Sequence, residues 1–164
     1  MDFVSERLTE AHDLERFSSR VTDLDDWLRR SARHADAMNT GRTFVWHAGD
    51  AVVVAYFTLA AQLVARAQVP KRIGRGSPDV IPAILLARLA FDQTLRGRGL
   101  GGELLWDAME RAWAASQHAG ARLVVVDAID DTAVSFYEHY GFRRIPETRR
   151  LVQKMSDVAA ALGH

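Results

Sequence analysis

"LRGRGLGGELL", residues 95–105, places four glycines within six positions directly ahead of a strongly patterned helix. A glycine ordered in regular structure costs about 0.5–1 kcal/mol relative to alanine, and a helix terminus needs one such residue, not four. A strand that runs into glycines and then a helix presents unpaired backbone N–H groups at the positive end of the helix dipole, a ready anion site. Glycines let the backbone approach a phosphate where a Cβ would collide, and the forks of Arg96 and Arg98 add charge-assisted hydrogen bonds. The stretch suits a pyrophosphate.

Working outward, "AILLARLAFDQ" (83–93) is nearly continuous apolar sequence, as expected of a central strand buried on both faces. Behind the loop, Leu100, Leu104, Leu105, Ala108, Met109, Ala112 and Trp113 fall on one helical face, with Asp107 and Arg111 spaced to pair outside it. "RLVVVDA" (122–128) reads as the next strand, so the three elements form a βαβ unit with an expected right-handed crossover. "DTAVSFYEHYGF" (131–142) reads as a short helix capped by Asp131 or Thr132 and closed by Gly141. "RRLVQKM" reads as a last strand and "SDVAAALGH" as a terminal helix.

Ahead of the loop, "VTDLDDWLRRSARHADAMNTG" (21–41) is a helix with Asp23 as the expected cap and Gly41 as its stop. Leu24, Trp27, Leu28, Ala35 and Met38 share one face, and Arg29, Arg30 and Arg33 project from the other. "RTFVWHAGDAVVVAYFTLAAQLV" (42–64) reads as a hairpin turning at Gly49-Asp50, the order of a type II′ turn. "VPKRIGRGSPDVIP" (69–82) is rich in turn formers and bases and reads as a mobile, exposed loop. The sum is a mixed α/β chain, antiparallel in front with βαβ behind. At 164 residues it has the length of one domain, 1–164.

Composition narrows the function. The formal net charge is zero, against a generally basic nucleic-acid-coating protein. Nineteen arginines stand against only Lys71 and Lys154; GC-rich coding explains that bias more simply than selection for phosphate binding, which is the alternative. Without cysteine there is no disulfide frame, thiolate nucleophile or cysteine-based zinc site, and no metal is expected. "MDFVSERLTE" shows neither the basic nor the apolar region of a secretory signal, and the longest apolar run, "AVVVAYF", is far short of a membrane span. A cytoplasmic setting with no membrane partner is expected.

The glycines do not fit two familiar phosphate loops. A P-loop ends Gly-Lys-Ser/Thr, whereas this one ends Gly-Leu-Gly-Gly. Gly97, Gly99 and Gly102 match the dinucleotide spacing, but the antiparallel strands that precede them are wrong for a doubly wound sheet. Arg96 to Gly101 fit R-x-x-G-x-G. Together with "LARLAFD" (86–92) before it and "FYEHYGF" (136–142) after it, an F-Y-x-x-x-G-F pattern, the loop resembles the acyl-coenzyme A site of the GNAT superfamily of N-acetyltransferases. The resemblance implies the GNAT fold: a central, mostly antiparallel twisted sheet with a βαβ acyl-coenzyme A site and flanking helices. It implies acetyl-CoA as co-substrate, its pyrophosphate held by Arg96, Gly97, Arg98, Gly99, Leu100, Gly101 and Gly102. The backbone of Leu89, Ala90 and Phe91 would pair with the pantetheine arm, and Asp131, Thr132 and Phe136 would line its far side.

In that family's pattern Tyr137 is the general acid that protonates the departing thiolate. A phenol of pKa about 10 suits a thiol of pKa about 8.5. Tyr140 lies one turn later, outside the motif position. No general base stands out among His47, Asp92, Glu138 and His139. An acid without a base suits an α-amino acceptor, which is partly neutral near pH 7, better than a lysine side chain.

The front half narrows the resemblance. "DLDDWLRRSARHADAMNTGRTFV" (23–45), "YFTLAA" (56–61) and "IPAILLARLAFDQTLRGRGLG" (81–101) are similar to GNAT toxins of the TacT-like and AtaT-like group. The likeness implies acetylation of aminoacyl-tRNA, a block of translation, a ribbon-helix-helix antitoxin, operator DNA reached only through that antitoxin, and a homodimer. Arg29, Arg30, Arg33, Lys71, Arg72, Arg75, Arg143 and Arg144 would then be candidate tRNA contacts. The alternatives are an enzyme acetylating a small amine or a protein N-terminus, and a coenzyme A-binding scaffold without turnover.

Overall fold

The computed structural model describes residues 2–164. Seven strands, β1 (Val4–Arg7), β2 (Arg42–His47), β3 (Ala55–Ala65), β4 (Val80–Phe91), β5 (Leu123–Asp127), β6 (Arg143–Arg144) and β7 (Arg150–Lys154), form a sheet in the order β1-β2-β3-β4-β5-β7-β6. Pairs β1–β2, β2–β3, β5–β7 and β6–β7 are antiparallel, and β4–β5 is parallel. Six helices join them: α1 (Thr22–Arg30), α2 (Ala32–Ala37), α3 (Lys71–Gly74), α4 (Gly101–Ala119), α5 (Asp131–His139) and α6 (Met155–Leu162). The mixed α/β class and the β4–α4–β5 unit are as the sequence implies.

The chain divides into two compact units, one from the N-terminus through Ala60 with Ala87–Leu105, the other Ala61–Leu86 with Trp106–His164. In the first, Leu8, Leu14, Phe17, Leu28, Val45, Val53, Tyr56 and Ala90 form the core, with Leu24 and Trp27 packed on it. Each large side chain buried here contributes about 1.5–3 kcal/mol. The Tyr56 hydroxyl donates to the Leu24 carbonyl at 2.7 Å, so the buried phenol is satisfied.

The front helix departs from expectation at both ends. It breaks at Ser31, whose φ of −124° ends α1 before α2 begins, and Val21 rather than Asp23 is its N-cap. Buried Asp25 reaches back instead, accepting from the Ser19 amide at 3.0 Å and its hydroxyl at 2.6 Å. Nor does the β2–β3 hairpin close in two residues. Trp46 faces Ala55, and Ala51 to Val53 are drawn off to Asp13, whose amide donates to Ala51 and whose carbonyl accepts from Val53. A tight II′ turn would forfeit those bonds. Strands β1 and β6, four and two residues long, carry too little pattern to be read from sequence.

In the second unit Val64, Val69, Ile73, Ile81, Ala83, Leu123, Val125, Ile145 and Val152 form the core. The segment 69–82, expected to be mobile and exposed, is built into this unit. Ile73, Gly74 and Ser77 are buried. Arg66 donates to the Ser77 carbonyl at 2.7 Å and Asp79 at 2.6 Å, and Arg122 donates to the Ser77 hydroxyl at 2.9 Å.

One acidic group ties β1 to β2. Glu6 Oε1 lies 2.9 Å from His12 Nε2 and 2.6 Å from His47 Nε2. The Nδ1 atoms of both rings accept backbone N–H groups, from Thr9 at 3.0 Å and Gly49 at 3.0 Å. That fixes each neutral ring with its proton on Nε2, donated to Glu6. Nε2 therefore has no lone pair for a cation, although the three side chains are close enough together to invite one. Hydrogen bonds from His47 first and His12 second hold the Glu6 carboxyl below its ordinary 4.5. A lowered carboxylate stabilises the fold above that value and loses its contribution as pH falls through the folded-state value. The melting-temperature gap between wild type and Glu6→Ala should shrink as pH falls below 4.5; a gap that is undiminished at about pH 2 would show that the interaction does not depend on the carboxylate.

Candidate active site

The glycine loop is prepared by the end of β4. The buried Asp92 closes that strand: its Oδ1 accepts from the Ser18 amide at 2.8 Å, and its Oδ2 from the Thr94 amide at 3.0 Å and hydroxyl at 2.7 Å. Burial pushes this carboxyl up, but those hydrogen bonds outweigh it and hold the group below its usual value. Asp92 is thus an anchor, and its lowered pKa makes it a poor base. Residues 18–20 buttress the same turn. Gln93 donates its amide to the Ser18 carbonyl at 2.8 Å, Arg20 donates to Gln93 Oε1 at 2.6 Å, and Arg96 donates to the Ser19 carbonyl at 3.3 Å. This buttress was not legible in the sequence, because only the tertiary structure brings positions 18–20 beside 92–96.

Beyond it, Gly97 and Gly99 have φ of +75° and +70°, with nothing within 4 Å of where a Cβ would stand. The positive φ, and not crowding from the protein, is what requires glycine there. Arg96 and Arg98 are exposed, and Gly101 and Gly102 form the first turn of α4, whose leading amides have no partner within the helix. Arg96 to Gly102 therefore form one open, donor-rich loop that fits a pyrophosphate. Leu89, Ala90 and Phe91 end β4, with Ala90 buried and its neighbours half-buried.

In the second unit, α5 carries the other candidate residues. Its cap is Asp130, which accepts from the Ala133 amide at 2.8 Å; the sequence reading of Asp131 or Thr132 falls one or two residues late. Asp131 is exposed and pairs with Arg149 at 3.2 Å and Arg144 at 4.0 Å, and Thr132 is exposed in the first turn. The aromatic motif has a clear physical basis. Gly141, at φ +94°, reverses the chain so that the Phe142 amide returns to the Tyr137 carbonyl at 3.1 Å. Phe142 then packs edge-on to the Tyr137 ring at 5.6 Å, and Phe136 does so at 5.1 Å. A Cβ on Gly141 would stand 2.9 Å from Gln153 Nε2.

Tyr137 is 6% exposed, yet its hydroxyl bonds to nothing among the described residues and is not sealed from solvent. Buried tyrosines ordinarily satisfy that group, as Tyr56 does. Burial pushes the Tyr137 phenol well up from 10, so it stays protonated through the neutral range. The result is a rigid ring carrying a free donor. Tyr140 is 43% exposed, and Glu138 and His139 are exposed on the same helix. His47 is committed to Glu6 and Gly49.

The basic candidates separate into two groups. Arg29 donates to the Phe17 carbonyl at 2.7 Å and Arg33 to the His12 carbonyl at 2.7 Å, so both brace the 9–17 segment. Arg30, Lys71, Arg72, Arg75 and Arg143 are exposed, and Arg144 is tied to the Thr148 carbonyl. Lys71 and Arg75 also line a cavity of about 600 Å³ with Arg66, Val69 and Asp79.

Residues 41–144 match the acetyltransferase (GNAT) domain. The chain belongs to the GNAT acetyltransferase family, and it is an α/β acyltransferase by fold. It is 40% identical over 158 residues to a tRNA-acetylating toxin of Mycobacterium tuberculosis, covering 96% of this chain and 95% of that protein. AtaT complexed with acetyl-methionyl-tRNAfMet superposes with a TM-score of 0.89 at 27% identity, covering 98% of this chain and 99% of the other. A tyrosine-to-phenylalanine mutant of AtaT, bound to the C-terminus of the antitoxin AtaR and acetyl-CoA, gives 0.83 at 25% identity with complete coverage of both chains. Among the described residues no helix is long and apolar enough to cross a membrane.

Gly99→Ala tests the loop. Its φ of +70° makes the substitution strained despite the open space, at a cost of about 1–2 kcal/mol. Acetyl-CoA binding measured by calorimetry should weaken by about tenfold, the equivalent of about 1.4 kcal/mol, while the variant remains folded. Unchanged affinity would remove the loop from the coenzyme site.

Proposed function

We propose that this chain transfers acetyl from acetyl-CoA to the α-amino group of aminoacyl-tRNA, acting in the cytoplasm as the toxin of a toxin–antitoxin pair. The observation that carries the reading is Tyr137, a buried phenol with an unpartnered hydroxyl, in a chain 40% identical along nearly its whole length to a tRNA-acetylating toxin. A ribbon-helix-helix antitoxin would hold the toxin in check; the AtaT neighbour is bound to the C-terminus of its antitoxin.

In this reading Arg96 to Gly102 hold the pyrophosphate through backbone amides and two guanidinium forks, and the Leu89–Phe91 backbone aligns the pantetheine arm as an added strand. Asp131, Thr132 and Phe136 border the arm from α5. When bound, acetyl-CoA supplies the thioester carbonyl that the amine attacks. The neutral amine forms the C–N bond and loses a proton to water, the C–S bond breaks, and Tyr137 gives its phenolic proton to the departing sulfur and is reprotonated from solvent. The apolar setting that raises the phenol also destabilises a naked thiolate beside it, which favours that transfer. No base is required when the acceptor's amine is already partly neutral near pH 7.

The variant Tyr137→Phe isolates this role, because the hydroxyl has no protein partner to lose. Its melting temperature should stay within about 2 °C of wild type, since a change of 1 kcal/mol would shift it by about 2–4 °C in a chain of this size. Acetylation of charged tRNA should fall by about 10²–10⁴-fold in kcat, the range of general acid catalysis. A variant that keeps wild-type kcat would remove Tyr137 from the proton transfer.

The raised phenol fixes the pH profile. Tyr137 should stay protonated across the assay range, so kcat/KM should rise with pH to a plateau set by the acceptor amine and show no descending limb below about pH 9. A descending limb near pH 8 would assign the acid to another group.

A further inference from the structure

Arg88 is a cation without a counter-charge among the described residues. It lies on β4 two residues before Ala90, on the face that packs with Tyr56, Leu24 and Trp27. Its guanidinium sits 3.9 Å from the centroid of the Trp27 ring, and Trp27 lies nearly parallel to Tyr56 with 6.4 Å between centroids. Among the described residues no carboxylate, carbonyl or hydroxyl accepts from it, and its nitrogens are not sealed from solvent. The neighbouring polar groups are already committed, Asp25 to Ser19 and the Tyr56 hydroxyl to Leu24. Burial pushes the Arg88 guanidinium below its ordinary value, whereas Asp127 raises that of Arg150. Desolvating a cation without pairing it is unfavourable, and an anionic ligand would reverse the cost.

We propose that Arg88, held over the Trp27 ring, determines acceptor binding by taking a phosphate oxygen in the single-stranded 3′ end of the aminoacyl-tRNA. The proposal rests on the acceptor named above. A planar fork held on an aromatic face presents a fixed edge of N–H donors, which matches a phosphate bidentately. Arg30, one turn beyond Trp27 on α1 and exposed, supplies a second positive charge on that helix. The coenzyme's phosphates are a poorer match for Arg88. The strand from Arg88 to Phe91 spans about 10 Å, the turn Gln93–Leu95 follows, and the glycine loop beyond carries Arg96 and Arg98 of its own.

The test uses the full chain and a fluorescent RNA minihelix whose 3′ end carries an amide-linked aminoacyl group. Binding is followed by anisotropy from 50 to 200 mM salt, and acetyl-CoA binding is measured separately by calorimetry. Arg88→Gln should weaken minihelix binding by about tenfold and reduce the slope of log K against log salt by about 0.7, the loss of one single-strand phosphate contact. Its acetyl-CoA affinity should stay within twofold of wild type. Arg88→Lys should recover the slope but only part of the affinity, since it restores charge without the fork. Loss of acetyl-CoA affinity in Arg88→Gln would give the cation to the coenzyme and overturn the proposal. Unchanged minihelix affinity and slope would reduce Arg88 to packing, and a wild type that does not bind the minihelix would overturn the contact outright. A wild type that binds the minihelix yet does not acetylate charged tRNA would leave the contact standing and remove the reaction.

Discussion

The glycine loop depends on one carboxylate. Asp92 sits where β4 must stop pairing and the chain must turn, and its two oxygens hold the Ser18 amide on one side and Thr94 on the other. A loop with two positive-φ glycines has little rigidity of its own. Fixing its entry at Asp92 and its exit in the first turn of α4 leaves few backbone conformations for the residues between. Preorganised amides are what an anion site needs, because ordering them at the moment of binding would subtract from affinity. The 18–20 segment reinforces the entry through Gln93 and Arg96, so a region far away in sequence maintains the geometry of the loop.

Tyr137 follows the opposite logic. Its ring is fixed by Phe136 and Phe142 while its hydroxyl is left without a partner among the described residues. Tyr56 in the first unit, by contrast, spends its hydroxyl on the Leu24 carbonyl. The groups read from sequence as conceivable bases are either consumed by structural hydrogen bonds, as Asp92 and His47 are, or exposed, as Glu138 and His139 are. An acid with no committed base is consistent with an acceptor that brings a partly neutral amine.

Much of this was legible because the decisive features are local. The glycines, the apolar strand before them and the aromatic turn at 136–142 carry their physics within a few residues of sequence. The misreadings come from long-range bonds. Gly49-Asp50 has the composition of a tight turn, but pairing of Ala51 to Val53 with Asp13 opens it. The turn-rich segment 69–82 looks mobile until Arg66 and Arg122 are seen to converge on Ser77. Arg29 and Arg33 have the spacing of a solvated basic face, yet both brace backbone carbonyls earlier in the chain. Arg88 was hidden for the same reason: nothing in "LARLAFD" shows that Trp27, sixty residues earlier, lies against it.

The identity of the acceptor is the central claim, and a competition experiment addresses it most directly. Labelled acetyl-CoA would be offered to the protein with charged tRNA, deacylated tRNA, a free amino acid ester and a peptide with a free N-terminus in one mixture. Label confined to the amino group of the charged tRNA is the result the account predicts. Label on the ester or the peptide, with charged tRNA bare, would keep the acetyltransferase and contradict the toxin.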